Sequence, residues 1–203
     1  MKGEAQTKER LLRIAKEEFL EKGYRDASLR NICKKADVTT GALYFFFKNK
    51  EDLYSSIVGD VLERIIKLIK AHYNEEIEGA RPSYKNDTHE DDIEASVNIV
   101  NYLYNYYDEV KLLLTKSQGS KYENCIEEIV ELTKNHYKRL MDIRVEKYNV
   151  KPIDDITITW VSHIQIDSFV YIINNDFTKE EALKQIRIMV KFLIQGWSNL
   201  LLD

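Results

Sequence analysis

The 203-residue sequence is poor in the residues that interrupt helices, with only 7 Gly and 2 Pro. Average usage would place these two types at about 12% of the chain. Because turns depend on such residues, their scarcity predicts few, long elements, and long elements are helices. Cysteine is also scarce: Cys33 and Cys125 lie far apart, without the spacing of a zinc site or a disulfide framework. We therefore expect no metal, no cofactor and a reducing, cytoplasmic setting.

Long apolar runs are missing as well. No stretch approaches the 18 or so consecutive apolar residues that cross a bilayer, and the polar N-terminus lacks the apolar region of a signal peptide. The composition of 44% hydrophobic and 32% charged residues, with 13 Tyr and 7 Phe, excludes a disordered or low-complexity chain. The sequence predicts a soluble globular protein outside the membrane.

Charge is divided unevenly along the chain. Residues 1–50 carry 12 Lys and Arg against 7 Asp and Glu, whereas the remaining 153 residues carry 18 against 27. A small basic module thus precedes a larger acidic one. Since phosphate binding depends on local charge, this division favours a nucleic-acid-binding head joined to a different body, although chance alone also produces such a split.

Apolar residues in the first 50 positions recur at helical spacing. They predict a first helix over about 7–22, ended by Gly23. A short second helix follows Ser28, and a third follows Thr39 or Thr40, because these residues cap helix N-termini well. Two short helices separated by about four residues form a helix-turn-helix. A long fourth helix begins after Asn49.

The stretch from Ser28 to Leu53 contains Gly41-x-Leu43-Tyr44-x-x-Phe47-x-x-Lys50. This string, within about residues 7–54, resembles the DNA-binding signature of the TetR family of transcriptional regulators. The resemblance implies a recognition helix that Leu43 and Phe47 dock on the head. It implies DNA contacts from Ser28, Arg30, Thr39, Thr40, Gly41, Tyr44, Phe45, Lys48 and Lys50.

Three residues depart from the usual family pattern. Cys33 replaces a common Ala, and Asp37 replaces the Gly of the turn. Asp can adopt the left-handed backbone conformation that this turn requires. Phe46 replaces Tyr or His and removes a hydrogen-bond donor, so we expect altered operator contacts. The helical period places Phe45 or Phe46 on the outer face of the third helix, where the ring would contact a thymine methyl or the sugar backbone. The alternative is that the whole run from Tyr44 to Phe47 belongs to the core.

The body of the chain is predicted to be helical throughout. Residues 73–92 read as a loop, followed by an amphipathic helix over about 93–107, a short helix at 112–114 and a long one over about 121–148. Residues 156–173 are β-branched and partly alternating, yet too long for an ordinary strand, so we predict a helix. Thr178 opens a final helix with a capping box. The fold class is all-α, with about nine helices.

The last two helices are apolar on more than one side, which implies a partner. The resemblance implies that the partner is a second copy, and that the body encloses a small-molecule cavity. We therefore predict a helix-turn-helix DNA-binding domain at 1–50 and a helical ligand-binding and dimerisation domain at 51–203. Aromatic residues on the inward-facing stripes of the body helices are more often ordinary core than cavity lining. The candidates to line the cavity are Val100, Tyr104, Tyr107, Tyr137, Trp160 and His163.

The function predicted from these features is a homodimeric repressor that a small effector releases from a palindromic operator in double-stranded DNA. One alternative is a helical DNA-binding or interaction module without a ligand. Another is a helical enzyme or metal-binding protein, for which His163 and Asp167 are the best local evidence. Two such side chains fall short of the three or four ligands of a zinc site, so we expect no enzyme.

Overall fold

A computed structural model describes residues 2–79 and 90–200. Within these ranges the chain forms nine α-helices and no strand, which confirms the all-α prediction. The helices are α1 Lys2–Asp26, α2 Leu29–Lys35, α3 Thr40–Phe46, α4 Lys50–Glu78, α5 Glu90–Asn105, α6 Tyr107–Thr115, α7 Cys125–Tyr148, α8 Asp155–Asn174 and α9 Lys179–Leu200.

Side-chain caps fix the helix starts that the sequence predicted. Ser28 accepts a hydrogen bond from the backbone N–H of Asn31, and Thr39 accepts one from Ala42. Thr178 and Glu181 form a reciprocal capping box, in which each side chain accepts a hydrogen bond from the other residue's backbone N–H. These bonds satisfy N–H groups that have no partner inside the helix.

The ends of α1 differ from the prediction of 7–22. The helix begins at Lys2, and it resumes after a kink at Gly23 to end at Asp26. Gly23 has φ 77° and ψ 164°, a backbone conformation with positive φ that suits glycine. Gly23 therefore interrupts the helix where the sequence analysis ended it, but the extra turn beyond it was missed.

The predicted loop at 73–92 is wrong at both ends. Helix α4 continues to Glu78 because Tyr73 is buried and carries the apolar face further than the acidic sequence suggested. Helix α5 already begins at Glu90, with three acidic residues in its first turn, where the helix dipole favours them. The middle of the predicted loop, residues 80–89, lies outside the described residues.

The placement of Tyr107 on the same helix as Val100 and Tyr104 is also wrong. Tyr106 has φ −126° and ψ 41°, which is not helical, so α5 ends at Asn105 and Tyr107 begins α6. Residues 155–174 form a helix, as predicted, despite their β-branched composition. The tertiary packing of neighbouring helices overrides local strand propensity here.

The chain divides into two compact units. The first unit contains the residues up to Arg64 together with Tyr106–Cys125, and the second contains Ile65–Asn105 and everything from Ile126 onward. Helix α4 contributes residues to both units. Helix α6 belongs to the first unit, although its sequence neighbours α5 and α7 belong almost entirely to the second.

Each unit has its own buried apolar core. In the first unit, Leu11 and Phe19 of α1, Leu43 of α3 and Leu53 of α4 are fully buried. In the second unit, helices α5, α8 and α9 bury one cluster, whose members are Val100, Ile172, Ala182, Ile186 and Val190. Burial of such side chains supplies the main free energy of folding in each unit.

Candidate DNA interface

The turn between α2 and α3 holds the helix-turn-helix in shape. Asp37 has φ 50°, the left-handed conformation expected where related sequences carry Gly. The backbone N–H of Asp37 donates to the carbonyl of Lys34, and that of Val38 donates to the carbonyl of Cys33. Cys33 is buried, as its place in the second helix predicted. The departures at Cys33 and Asp37 are thus accommodated without loss of the motif.

Helix α3 docks on the first unit through one side only. Leu43 is completely buried and Phe47, which caps the helix C-terminus, is 2% exposed. The other side of the helix presents Thr40, Gly41, Tyr44 and Phe45 to solvent. The structure therefore separates the docking residues from four of the predicted DNA-contact residues.

Two aromatic side chains on this helix are strongly exposed. Tyr44 is 52% exposed and Phe45 is 73% exposed. Phe46 is half-buried, and its ring meets the Phe45 ring edge-on at a centroid distance of 5.0 Å. The Tyr44-to-Phe47 run is therefore not simply core: Phe47 is core and Phe45 is surface.

Gly41 has open space around it. A Cβ placed there would meet only the Thr39 hydroxyl, at 3.8 Å. The protein's own packing thus does not require glycine at this position. A requirement for glycine would have to come from something that approaches the exposed face of α3.

Three of the basic side chains around the motif are available to phosphate. Arg30, Lys34 and Lys48 are exposed, and none of them forms an ion pair with any residue that the structure describes. Arg30 and Lys34 lie on α2, and Lys48 lies two residues beyond α3. Such cations neutralise backbone phosphates without reading sequence.

Lys35 has a different role from its neighbour Lys34. Its Nζ lies 2.7 Å from a carboxylate oxygen of Glu18, which is 1% exposed. Asn31 also donates to Glu18. Burial would raise the pKa of Glu18, but the hydrogen bonds and the charge of Lys35 override it and hold the pKa below its usual value. Lys35 is therefore tied to the packing of α2 on α1.

Lys50 is held by the end of α1. Its Nζ donates to the carbonyl of Arg25 at 2.9 Å and lies 4.8 Å from the centroid of the Tyr24 ring. Burial lowers the pKa of Lys50. The side chain thus connects the first turn of α4 to the last turn of α1, whether or not it also reaches a phosphate.

Glu51 joins three segments of the first unit. One oxygen accepts hydrogen bonds from the hydroxyl of Tyr24, at 3.0 Å, and from the backbone N–H of Lys121, at 3.2 Å. Burial, together with the hydrogen bond to Glu51, raises the pKa of Tyr24 to about 12. Nearby, Tyr54 donates to the carbonyl of Leu112 on α6. Sequence reasoning missed this junction, because its partners are distant in the chain.

The six predicted cavity residues differ in burial, and they do not all belong to one unit. Val100 is buried in the core of the second unit, and Tyr104 donates to the carbonyl of Phe177. Tyr107 belongs to the first unit. Trp160 is 67% exposed, so its placement on an inward stripe is wrong, and His163 is half-exposed on the same side of α8. Tyr137 packs against the Trp197 ring, at a centroid distance of 4.7 Å.

A polar cluster in the second unit was not predicted. His136 stacks on Tyr73 at 3.9 Å, and its Nε2 lies 2.7 Å from Glu76. Tyr73 in turn donates to Thr133, which is fully buried. The cluster joins α4 to α7. Across residues 2–79 and 90–200, no three His, Cys, Asp or Glu side chains are grouped to hold a metal ion.

The comparisons with known proteins agree with the motif. Residues 11–57 match the family described as bacterial regulatory proteins, tetR family. The chain is 44% identical over 55 residues to the transcriptional repressor BepR of Brucella suis, which is 27% of this chain and 26% of that protein. It is 40% identical over 80 residues to the transcriptional regulator UidR of Escherichia coli, 39% of each chain. The matched region thus spans about a quarter to two fifths of these relatives.

Solved structures match over a much longer range. A transcriptional regulator of the TerR/AcrR family from Aquifex aeolicus has a TM-score of 0.58 and 24% identity, covering 92% of this chain and 99% of that one. The regulator FadR of Bacillus subtilis, in complex with stearoyl-CoA, has a TM-score of 0.56 and 19% identity, covering 92% and 97%. At these identities the likeness concerns the fold. Residues 11–57 of this chain are thus similar to the tetR family of bacterial regulatory proteins, and the relatives that match this segment are transcriptional regulators.

Proposed function

We propose that the protein is a dimeric repressor that binds a palindromic operator in double-stranded DNA and leaves it when a small effector binds residues 51–203. The observation that carries the proposal is the exposed face of α3 in the family-matched segment. A helix docked by Leu43 and Phe47 and free on its opposite side has the form of a recognition helix that enters the major groove.

The proposed DNA domain is residues 1–50. Tyr44, through its hydroxyl, and Lys48, through its charge, serve as phosphate contacts, with Ser28, Arg30 and Thr39 beside them. Lys50 contributes to the same face from the first turn of α4, where the helix N-terminus favours an anion. Thr40, Gly41 and Phe45 face the base edges. Phosphate contacts set position and affinity, while groove contacts set sequence preference.

The proposed dimer seam lies on α8 and α9. Five of the nine strongly exposed large hydrophobic side chains among the described residues are on these two helices: Ile156, Trp160, Tyr171, Ile188 and Phe192. Those on α8 recur at spacings of 4 and 11 residues, which places them on one face. An apolar face of this kind marks an interaction site. The partner on this face would be a second copy of the chain, because a palindromic operator has two half-sites, each read by one recognition helix.

A membrane is a weaker explanation for α8. The helix is long and apolar enough to cross a bilayer, with a mean hydropathy of 1.3. Apolar helices that pack in a protein interior or interface have the same composition, and Asp167 lies on the exposed side of this one. We propose a cytoplasmic protein whose α8 packs against its partner.

The proposed effector site lies in the second unit. Its support is the architecture shared with FadR, which was solved with stearoyl-CoA. Coupling to the head would use α4, which contributes to both units, and α6, which belongs to the first unit although it lies between α5 and α7 in sequence. Typical coupling of about 1–3 kcal/mol would weaken operator affinity by roughly 5- to 150-fold.

The proposal is tested by selecting bound duplexes from a pool of genomic fragments and footprinting the site. We expect a palindromic footprint, two chains per duplex and an affinity that falls steeply with salt. A screen of small molecules against the complex then separates two outcomes. Release by a compound that binds the second unit supports a ligand-responsive repressor, whereas binding that no compound alters supports the alternative of a constitutive DNA-binding module.

A further inference from the structure

We infer that Phe45 reads the 5-methyl group of thymine, so that the operator is recognised in part by apolar contact. The inference rests on the proposed function and names the chemical feature that its recognition helix selects. Three observations carry it: the direction of Phe45, the open space beside it, and the side chains that α3 does not contain.

The direction of Phe45 follows from the buried side of α3. Leu43 is completely buried, and Phe45 lies two residues further, about 200° round the helix. Phe45 therefore points almost directly away from the core. Tyr44 lies only about 100° from Leu43, on the flank. A side chain opposite the docking face meets base edges in a groove, whereas a flanking one meets the phosphate and sugar walls.

Open space lies beside Phe45. Gly41 stands one turn earlier and is also about 200° from Leu43, so it shares the outermost line of the helix with Phe45. A Cβ at Gly41 would meet only the Thr39 hydroxyl. Because this position adds no side chain, the helix can lie deep enough for Phe45 to reach the bases. The edge-on contact with Phe46, at 84° between the ring planes, supports the Phe45 ring from behind.

Apart from Thr40, helix α3 lacks the side chains that read other bases. Its sequence, TGALYFF, contains no Arg or Lys to pair with guanine and no Asn or Gln to pair with adenine. The thymine methyl is the apolar feature of the major groove, and Phe is a side chain that contacts it. The free energy of binding is most favourable where the exposed Phe45 ring and the thymine methyl both lose contact with water.

The test uses the operator obtained by selection, with each thymine replaced in turn by deoxyuridine. This change removes only the methyl group and keeps base pairing. We expect at least one thymine per half-site whose replacement weakens wild-type binding by about 4-fold, the equivalent of about 0.8 kcal/mol for one buried carbon. Phe45→Ala should bind the thymine operator more weakly and lose the difference between the two bases.

Matched variants separate this role from others. Tyr44→Phe should weaken binding but keep the 4-fold preference for thymine, because it removes only a hydroxyl group on the flank. Phe45→Leu should keep part of the preference. Thermal unfolding checks that each exposed substitution leaves the fold intact.

Three outcomes would overturn the inference: no sensitive thymine, a selected operator without a thymine common to both half-sites, or the same thymine preference in Phe45→Ala. Failure to select any duplex would instead contradict the proposed function itself. The two failures are therefore distinguishable.

Discussion

Single residues in the first unit divide into those that hold the fold and those that are free to meet DNA. Neighbouring lysines show the division: Lys35 is paired with the buried carboxylate of Glu18, while Lys34 is exposed on the same helix. Lys50 likewise donates to Arg25, while Lys48 is exposed. Residue type and spacing alone do not distinguish these roles, because they depend on what lies opposite each side chain.

Replacing Glu18 by Gln should lower the free energy of unfolding at pH 7 by about 1–3 kcal/mol, since the buried network loses the carboxylate charge and one of its two acceptor oxygens. The folded-state pKa of Glu18 is lowered from 4.5, so its contribution is present above that pH and is lost as pH falls through the folded value. Glu18→Gln should therefore show less acid destabilisation than the wild type in urea unfolding. The exposed Glu17→Gln is the matched control, and equal acid sensitivity of the wild type and Glu18→Gln would contradict the assignment.

Replacing Lys48 by Ala should weaken DNA binding across sequences and leave folding unchanged, because the side chain is exposed. Loss of one phosphate contact lowers the slope of log affinity against log salt by about 0.9. Lys35→Ala should do the reverse, lowering stability while keeping the slope. The measurement is operator affinity over a salt series beside thermal unfolding, and an unchanged slope in Lys48→Ala would place this residue off the DNA.

For Lys50→Ala we expect the same decrease in the slope of log affinity against log salt, together with lower stability.

At the scale of elements, long helices are joined by polar contacts between residues far apart in sequence. In the second unit α4 meets α5 through His72 and Asp92, at 3.2 Å, and meets α7 through Glu76 and His136, at 2.7 Å. His72 and Glu76 are one turn apart, so one stretch of α4 carries both links. These contacts set how α4 is held in the second unit, and therefore bear on the coupling proposed for it.

The link between α4 and α5 should make stability depend on pH. Burial would lower the pKa of His72, but the hydrogen bond to Asp92 and the surrounding carboxylates override it and raise the pKa above 6.5. A raised folded-state pKa means that the stabilisation is fully present below about pH 6.5 and is lost as pH rises through the folded value.

Asp92→Asn should reduce this dependence and cost about 1–2 kcal/mol at pH 6, with a smaller cost at pH 8.5. Asp91→Asn, at the exposed neighbouring position, should behave like the wild type. Urea unfolding at the two pH values measures both variants. A cost for Asp92→Asn that is independent of pH would show that His72 does not titrate in this window.

At the scale of the whole molecule, the chain folds as two units with separate cores and leaves an apolar surface on the second. The exposed side chains of α8 and α9 have no counterpart within the described part of the chain that covers them. Residues 201–203 of the predicted dimerisation domain lie outside the described range. A two-fold dimer would bury this surface and present two recognition helices to successive major grooves.

If the proposed dimer forms through α8 and α9, Phe192→Glu should give monomers, because the side chain is 65% exposed in the single chain and a charge there costs little until a partner covers it. A Leu193→Glu substitution would be less decisive, since Leu193 is half-buried. Arg187→Glu, exposed on α9 about 100° round the helix from Ile188, is the control and should stay dimeric. Sedimentation velocity reports the mass and footprinting the loss of tight binding; a dimeric Phe192→Glu protein would place the seam elsewhere.

The sequence by itself determined the elements that depend on neighbouring residues. Capping at Ser28, Thr39 and Thr178, positive φ at Asp37 and Gly23, and the docking of Leu43 and Phe47 all follow from side chains within a few positions of each other. The helix-turn-helix and its similarity to the tetR family were therefore readable from local spacing. Where the signal was composition alone, as in the acidic stretch at 73–92, the helix ends were placed wrongly.

Only the tertiary structure decided which polar and aromatic residues meet across the chain. Pairs such as Lys35 with Glu18 or His72 with Asp92 bring together residues separated by 17 and 20 positions, and no periodicity encodes such a contact. The same holds for Trp160, whose helical face could be read as inward or outward until its neighbours were in place. Local geometry fixes where a helix begins, but the packing of other helices fixes which of its faces is buried, because hydrophobic burial is a property of the assembled fold.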